Sequence, residues 1–234
     1  MNSLCLFASY FKTNIISAYI KVYLQELKKN HSTVVFISTN PNLDKSELSF
    51  LNENRITLFE TSNEGYDFGQ WYKAMRSYNL YDFDKLTLVN DSCVLFAGLS
   101  DFYDWVNSSN ASAFAMTQSH VRKKHLQSYF MVFNKNTFPL LSNYFKTHGI
   151  KASFNEVIET YEIGLSNQLI FNGFKIDSFV KNNTFHKEFA PYYFNVKEHL
   201  AQRIPLIKRK IIDGSYRKDE LYTLARMDFE MNPS

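Results

Sequence analysis

Lys85-Leu86-Thr87-Leu88-Val89-Asn90-Asp91-Ser92 is an apolar run of strand length that empties directly into turn-forming Asn, Asp and Ser. A strand apolar at nearly every position is buried on both faces, which is the condition of a central strand in a parallel sheet. Working outward, residues 4–10, 33–39 and 56–60 are further short apolar runs, and each reads as a strand. Between the first two, Ile16, Tyr19, Ile20, Tyr23, Leu24 and Leu27 recur at helical spacing, with Asn14 placed as N-cap. Residues 44–54 and 67–78 read as two more helices. Strands alternating with helices in this way predict an α/β fold, a Rossmann-type, mostly parallel sheet flanked by helices, over residues 1–110.

Past that point the pattern continues less regularly. Residues 113–117 and 129–133 read as strands. Ser153-Phe154-Asn155-Glu156 has the form of a capping box opening a helix that Gly164 interrupts, and Gly173 fits a helix C-cap. Residues 195–228 read as amphipathic and helical.

Composition narrows the field. The 234 residues are 45% hydrophobic, with 22 Phe and 15 Tyr, enough for a sizeable core. A net charge of +3 is too small to make nucleic acid the main partner. Cys5 and Cys93 both sit in apolar runs and read as buried thiols in a reducing compartment. The first residues carry no basic, signal-like pattern, and no apolar stretch approaches the roughly 20 residues of a spanning helix. The Asn-x-Ser/Thr triplets at Asn107 and Asn182 are therefore chance, and the expected location is cytoplasmic. There is no G-x-G-x-x-G, no phosphate-binding G-x-x-x-x-G-K-[ST], no G-x-S-x-G, and no C-x-x-C or H-E-x-x-H. Dehydrogenase, P-loop, α/β-hydrolase and zinc-site readings lose their main support.

Ligands of open α/β sheets bind beyond the carboxyl ends of strands, and two segments lie there. In the first, after the third strand, Gly65 and Gly69 let backbone approach a ligand closely and the following helix offers its N-terminus to an anion. Asp67 there is a ribose or base ligand, or a plain N-cap; Tyr66 and Trp71 are candidates for stacking. In the second, Asp91 at the tip of the fourth strand is placed to hold Mg²⁺ or Mn²⁺ bridging two phosphates, or else Asn90 and Asp91 simply make a turn. A third segment offers Glu162 near a helix end, where a carboxylate takes the proton of an attacking hydroxyl or stands as an exposed helical acid. His125 and Gln127, just before a strand, share one side by alternation; they bind acceptor hydroxyls or phosphates, or His125 closes a loop.

The order of these segments resembles the GT-A fold of sugar-nucleotide-dependent transferases. On that likeness Asp91 falls in the D-x-D metal-binding region and Glu162 at the catalytic-base position. Asn90 joins Gly65, Tyr66, Asp67, Gly69 and Trp71 on the donor side, and His186 is a further metal or phosphate ligand. The D-x-D is reduced to Asn90-Asp91-Ser92, and Tyr161 stands where the likeness has an acid. A closer resemblance is to the rhamnan synthesis protein F family. It is carried by Gly65-Tyr66-Asp67-Phe68-Gly69-x-Trp71, Val89-Asn90-Asp91-Ser92, His125-Leu126-Gln127-Ser128-Tyr129-Phe130, Tyr161-Glu162-x-Gly164-Leu165-Ser166 and Pro205-Leu206-Ile207-Lys208-Arg209. Phe114-Ala115-Met116-Thr117 departs from the Trp-Gly that family has there.

The resemblance implies a metal-dependent, inverting glycosyltransferase that moves a sugar, rhamnose by the family name, from a nucleotide-sugar donor to a polysaccharide or lipid-linked saccharide. Its catalytic domain is expected at residues 1–194, with a nucleotide-binding half to about 110 and an acceptor half after it. A basic, amphipathic helical extension follows at 195–234. Residues 203–218 hold Arg203, Lys208, Arg209, Lys210, Arg217 and Lys218 against Asp213, interleaved with Ile204, Leu206, Ile207, Ile211 and Ile212. That pattern reads as a solvated helix face or as contact with the inner face of a membrane. A non-catalytic scaffold on the same fold, motivated by the reduced D-x-D, and a phosphotransferase using the same acids are the competing readings.

Overall fold

The computed structural model describes residues 2–120, 122–180 and 203–209. Its first half is a regular alternation: β1 (Ser3–Ser9), α1 (Ala18–Asn30), β2 (Thr33–Ser38), α2 (Lys45–Glu53), β3 (Thr57–Glu60), α3 (Tyr66–Met75) and β4 (Lys85–Asn90). β1 and β4 are buried along their whole length, as their unbroken apolar runs require. Alternation divides β1 between two cores. Cys5 and Phe7 face one layer, with Tyr23 and Leu24 of α1 and Leu51 of α2; Leu4, Leu6 and Ala8 face the other, with Phe68 and Trp71 of α3. α1 begins at Ala18 rather than after Asn14, because Glu47 of α2 accepts the Ile16 amide at 3.0 Å and holds the approach extended. Asn14 instead accepts from Asn40 and Asp44.

The second half is β5 (Cys93–Leu95), α4 (Ser100–Ser108), β6 (Ala113–Ser119), β7 (His125–Leu126), β8 (Phe130–Asn134), α5 (Phe138–His148), α6 (Phe154–Val157), a π-helical segment (Ile158–Gly164), α7 (Leu165–Phe171), β9 (Ile176–Val180) and β10 (Leu206–Lys208). Eight strands form one sheet in the order β3-β2-β1-β4-β8-β6-β7, with β9 also on β6. β3, β2, β1 and β4 are mutually parallel; β8 is inserted antiparallel between β4 and β6. The fold is thus mixed α/β, a mostly parallel sheet flanked by helices, of GT-A-like architecture. α4 joins α1 on one face, while α5 and α7 join α3 on the other.

Two local expectations change and one holds. Gly164 does not interrupt its helix; the chain passes through it in π form, with Tyr144 donating to the Thr160 carbonyl at 2.7 Å and lying where a Gly164 Cβ would stand. Gly173, at φ +79°, ends α7 as expected. The helix expected over 195–228 is, in its described part, a strand: β10 pairs antiparallel with β5, Leu206 opposite Leu95 and Lys208 opposite Cys93. Ile204, Leu206 and Ile207 are sealed in the core, so they present no lipid-facing stripe; Ile211, Ile212 and the remaining basic residues lie outside the described residues. Among the described residues no helix is long and apolar enough to cross a membrane.

Candidate active site at the strand switch

Strand order reverses between β1 and β4, the place where open α/β sheets leave a crevice. Asp91, first residue past β4, lies in it. Its amide donates to the Ala8 carbonyl at 3.2 Å, and its Oδ2 accepts from the Ser9 hydroxyl at 2.9 Å and the Tyr10 amide at 3.1 Å. The end of β1 therefore orients this carboxylate. Burial still pushes the Asp91 pKa above the ordinary carboxylate range, against the opposing pull of these donors and of Arg209.

Asn90 ties the strand tip to α3. Its side-chain amide donates to Asp67 Oδ2 at 2.6 Å, and its carbonyl oxygen accepts from the Ser92 amide at 3.1 Å and the Ser92 hydroxyl at 2.6 Å. Asp67 is raised to about 6, first by burial and then by repulsion from Asp91. Asn90 and Lys208 oppose that rise and Glu162 adds to it, so all of these groups act across one space.

Glu162 comes from the π-helical segment, a geometry frequent at functional sites. Its Oε1 accepts from the Ser128 amide at 3.0 Å and hydroxyl at 3.3 Å, which fixes the carboxylate against the start of β8. Glu162 and Asp91 are both part-exposed. Tyr161, by contrast, packs between Phe68 and Phe145 at centroid distances of 5.0 and 4.8 Å; the aromatic core takes the place of the expected acid.

Other expected residues sort by what they touch. Trp71 is fully buried, edge-on to Phe68, and its indole N–H donates to the Val89 carbonyl at 3.2 Å; it supports the tip of β4 and stacks on nothing outside. Gly65 and Gly69 are required by the turn itself. A Cβ on Gly69 would stand 1.9 Å from the Glu64 carbonyl oxygen, and one on Gly65 2.6 Å from Ile150. Tyr66 remains half-exposed at φ +55°, edge-on to Phe154, beside a cavity of about 470 Å³ lined by Asn63, Glu64, Gly65, Ile150 and Lys151. His125 is buried in β7, with Nδ1 2.8 Å from the Lys123 carbonyl; a carbonyl only accepts, so Nδ1 carries the hydrogen. Gln127 accepts from the Thr117 hydroxyl at 2.6 Å, which in turn lies 2.7 Å from the Tyr129 hydroxyl. Half of its amide is committed to the β6–β8 corner. His186 lies outside the described residues.

Two residues of the basic segment, read from the sequence as a solvated helix face or a membrane contact, stand here. Lys208 Nζ donates to the Ser92 hydroxyl at 2.9 Å and sits 4.3 Å over the Tyr129 ring. Arg209 donates its amide to the Ser92 carbonyl and its guanidinium to the Tyr19 hydroxyl, both at 2.9 Å, and Tyr19 donates to the Asp91 carbonyl at 3.2 Å. The one signal available beforehand was the position of Lys208-Arg209 inside a family-like motif.

Among the described residues no group of three or more His, Cys, Asp or Glu side chains is arranged to hold a metal ion. Mg²⁺ and Mn²⁺ at diphosphates take only one or two carboxylates, completing the shell with phosphate and water. Asp67 and Asp91, part-buried near each other and repelling each other, fit that smaller donor set.

A GT-A-like sheet with its strand switch at β1 and β4 defines the class, that of α/β proteins built like nucleotide-diphospho-sugar transferases. The chain belongs to the rhamnan synthesis protein F family, whose model matches residues 34–230. No curated protein matches the sequence. Among solved structures, a Bacillus anthracis protein assigned as a glucose-1-phosphate thymidylyltransferase, in complex with a sucrose, is 9% identical, with 87% of this chain and 96% of that one covered at TM-score 0.51. A mannosyltransferase of Pyrobaculum calidifontis, in complex with GDP-Man and Mn²⁺, is 10% identical over 86% of this chain and 63% of that one, at TM-score 0.48. A Desulfovibrio desulfuricans protein assigned as a nucleotide-diphospho-sugar transferase is 14% identical over 86% and 96%, at TM-score 0.47. At such identities the likeness is one of fold.

Proposed function

We propose that this protein is a glycosyltransferase of surface-polysaccharide synthesis, moving a sugar from a nucleotide-sugar donor to a saccharide acceptor. The observation that carries the reading is the convergence of Asp67, Asp91 and Glu162 on one crevice from three separate elements, each carboxylate oriented by its own hydrogen bonds. Family membership supports the acceptor class, and rhamnose as the sugar is taken from the family's name alone.

In this reading Asp91 and Asp67 hold a divalent cation, which when bound neutralises charge on the donor diphosphate. Ser9, Tyr10 and Asn90 keep the two carboxylates in place before the donor arrives. Glu162, aimed by Ser128, takes the proton of the acceptor hydroxyl. The acceptor oxygen then bonds to the anomeric carbon, the bond from that carbon to the phosphate oxygen breaks, and the nucleoside diphosphate departs. Attack opposite the leaving group inverts the anomeric centre. The test is release of nucleoside diphosphate from a panel of nucleotide sugars with Mn²⁺, for the wild type and Glu162→Gln. The expected result is turnover of one donor and a loss of about 100-fold or more in the variant, with its melting temperature unchanged. Undiminished turnover in Glu162→Gln overturns the assignment of the base.

Nucleotidyl transfer is the second reading, favoured by the fold likeness to the thymidylyltransferase-like protein over nearly all of that chain. Its product would be a new nucleotide sugar with release of inorganic diphosphate, which mass spectrometry separates from glycosyl transfer.

A further inference from the structure

We infer that Lys208 and Arg209 form a diphosphate cradle, delivered to the crevice by the pairing of β10 with β5, and that it grips the departing diphosphate of the donor. The inference rests on the sugar-nucleotide reading above and adds a binding element to it.

Placement comes first. The antiparallel register sets Lys208 opposite Cys93, and the Arg209 amide extends the ladder to the Ser92 carbonyl at 2.9 Å. Two consecutive cations are thereby brought from the far end of the chain to the turn that carries Asp91. The apolar residues just before them, Ile204, Leu206 and Ile207, are core, so the segment is anchored and its charged end is positioned rather than trailing in solvent.

The surroundings of Lys208 then point to an anion. Its ammonium is steadied by a neutral hydroxyl, Ser92, and by the face of Tyr129, and among the described residues it makes no ion pair. Asp67 nevertheless feels its charge. A lysine present only to balance the acids would be expected to close on one of them. This one is held off them, with donors left for another acceptor. Arg209, braced on Tyr19 at the Asp91 backbone, adds a fork that suits phosphate oxygens. Three carboxylates and two cations leave the crevice one negative charge in excess. A divalent cation on Asp67 and Asp91 reverses the sign and leaves a net pull for a diphosphate. With a cation held by Asp67 and Asp91, the cradle would add two further positive charges for the leaving group.

Both a nucleoside diphosphate and a lipid diphosphate present this chemistry, and the experiment separates them. Titration calorimetry of the full chain, with and without Mg²⁺, would use UDP, TDP and GDP, inorganic pyrophosphate and geranyl diphosphate. Lys208→Met keeps the stem over Tyr129 and removes the charge; Lys208→Arg restores charge; Lys146→Met on α5 is a distant control. The expected result is binding of one nucleoside diphosphate to the wild type in Mg²⁺, weaker binding without it, and roughly 10-fold or greater weakening in Lys208→Met with Mg²⁺ present. Partial recovery in Lys208→Arg and no change in Lys146→Met complete the expected pattern, at melting temperatures equal to wild type. Equal nucleoside diphosphate affinity in wild type and Lys208→Met overturns the cradle while leaving the transferase reading standing. A loss confined to geranyl diphosphate overturns its assignment to the donor. Failure of the wild type to bind any nucleoside diphosphate refutes the sugar-nucleotide reading itself.

Discussion

Replacing Asp67 by Asn sets stability against function in a way that can be worked out from the site. In the folded chain the Asp67 carboxyl titrates at about 6 against an ordinary 3.8, chiefly because burial and the nearby Asp91 disfavour its charge. A folded-state pKa raised in this way means the fold binds the proton more tightly than the unfolded chain does. The stabilisation is complete below about pH 4 and is lost as pH rises through about 6. At about 1.4 kcal/mol per unit, the ionised carboxylate costs the fold up to about 3 kcal/mol at pH 8. Asparagine copies the neutral form and keeps an oxygen for the Asn90 amide. Asp67→Asn should therefore be more stable than wild type by about 2–3 kcal/mol at pH 8, and the difference should vanish near pH 4. Urea unfolding followed by tryptophan fluorescence across that range, with EDTA present to remove metal, reads this directly. The same variant should lose Mn²⁺-dependent donor binding, the trade expected where like charges are held together for a ligand. A difference independent of pH, or a variant less stable than wild type at pH 8, would refute the reasoning.

Two further substitutions test the packing that positions the crevice. Gly69→Ala forces a methyl onto the Glu64 carbonyl, so the turn must open; a loss of about 3 kcal/mol or more by denaturant titration is expected, whereas Gly98→Ala, whose nearest neighbour would be Glu26 at 3.5 Å, should be tolerated. Trp71→Phe removes the indole donor to the Val89 carbonyl and should cost about 1–3 kcal/mol; nucleotide affinity, measured by calorimetry, should be retained, since the ring faces the core.

The legible parts of the molecule were those decided locally. The run from Lys85 to Asn90 is strand over those residues and buried at every position, as a largely apolar run in a sheet covered on both faces requires. The Ser153–Glu156 capping box forms as its spacing dictates. What escaped the sequence depended on partners far along the chain. Trp71 reads equally well as a stacking or a core residue until Val89 and Phe68 are seen around it. The glycines at 65 and 69 look like room for a ligand, whereas Glu64 and Ile150 occupy that room. β10 is too short to carry a period, and its register is set by β5, so its basic residues read as a solvated or membrane-facing helix rather than as a strand end beside Asp91. The antiparallel insertion of β8 between β4 and β6 likewise has no local signature.

The central claim is that Asp91 and Glu162 open onto a common space. Paramagnetic broadening by Mn²⁺ in an amide-resolved spectrum, with nucleotide sugar present, measures it most directly. The amides of Asp67, Ser92, Ser128 and Glu162 should broaden together at the lowest Mn²⁺ additions, and Asp91→Asn should abolish the effect at all four. Broadening around Ser92 that leaves Ser128 and Glu162 sharp would contradict the account.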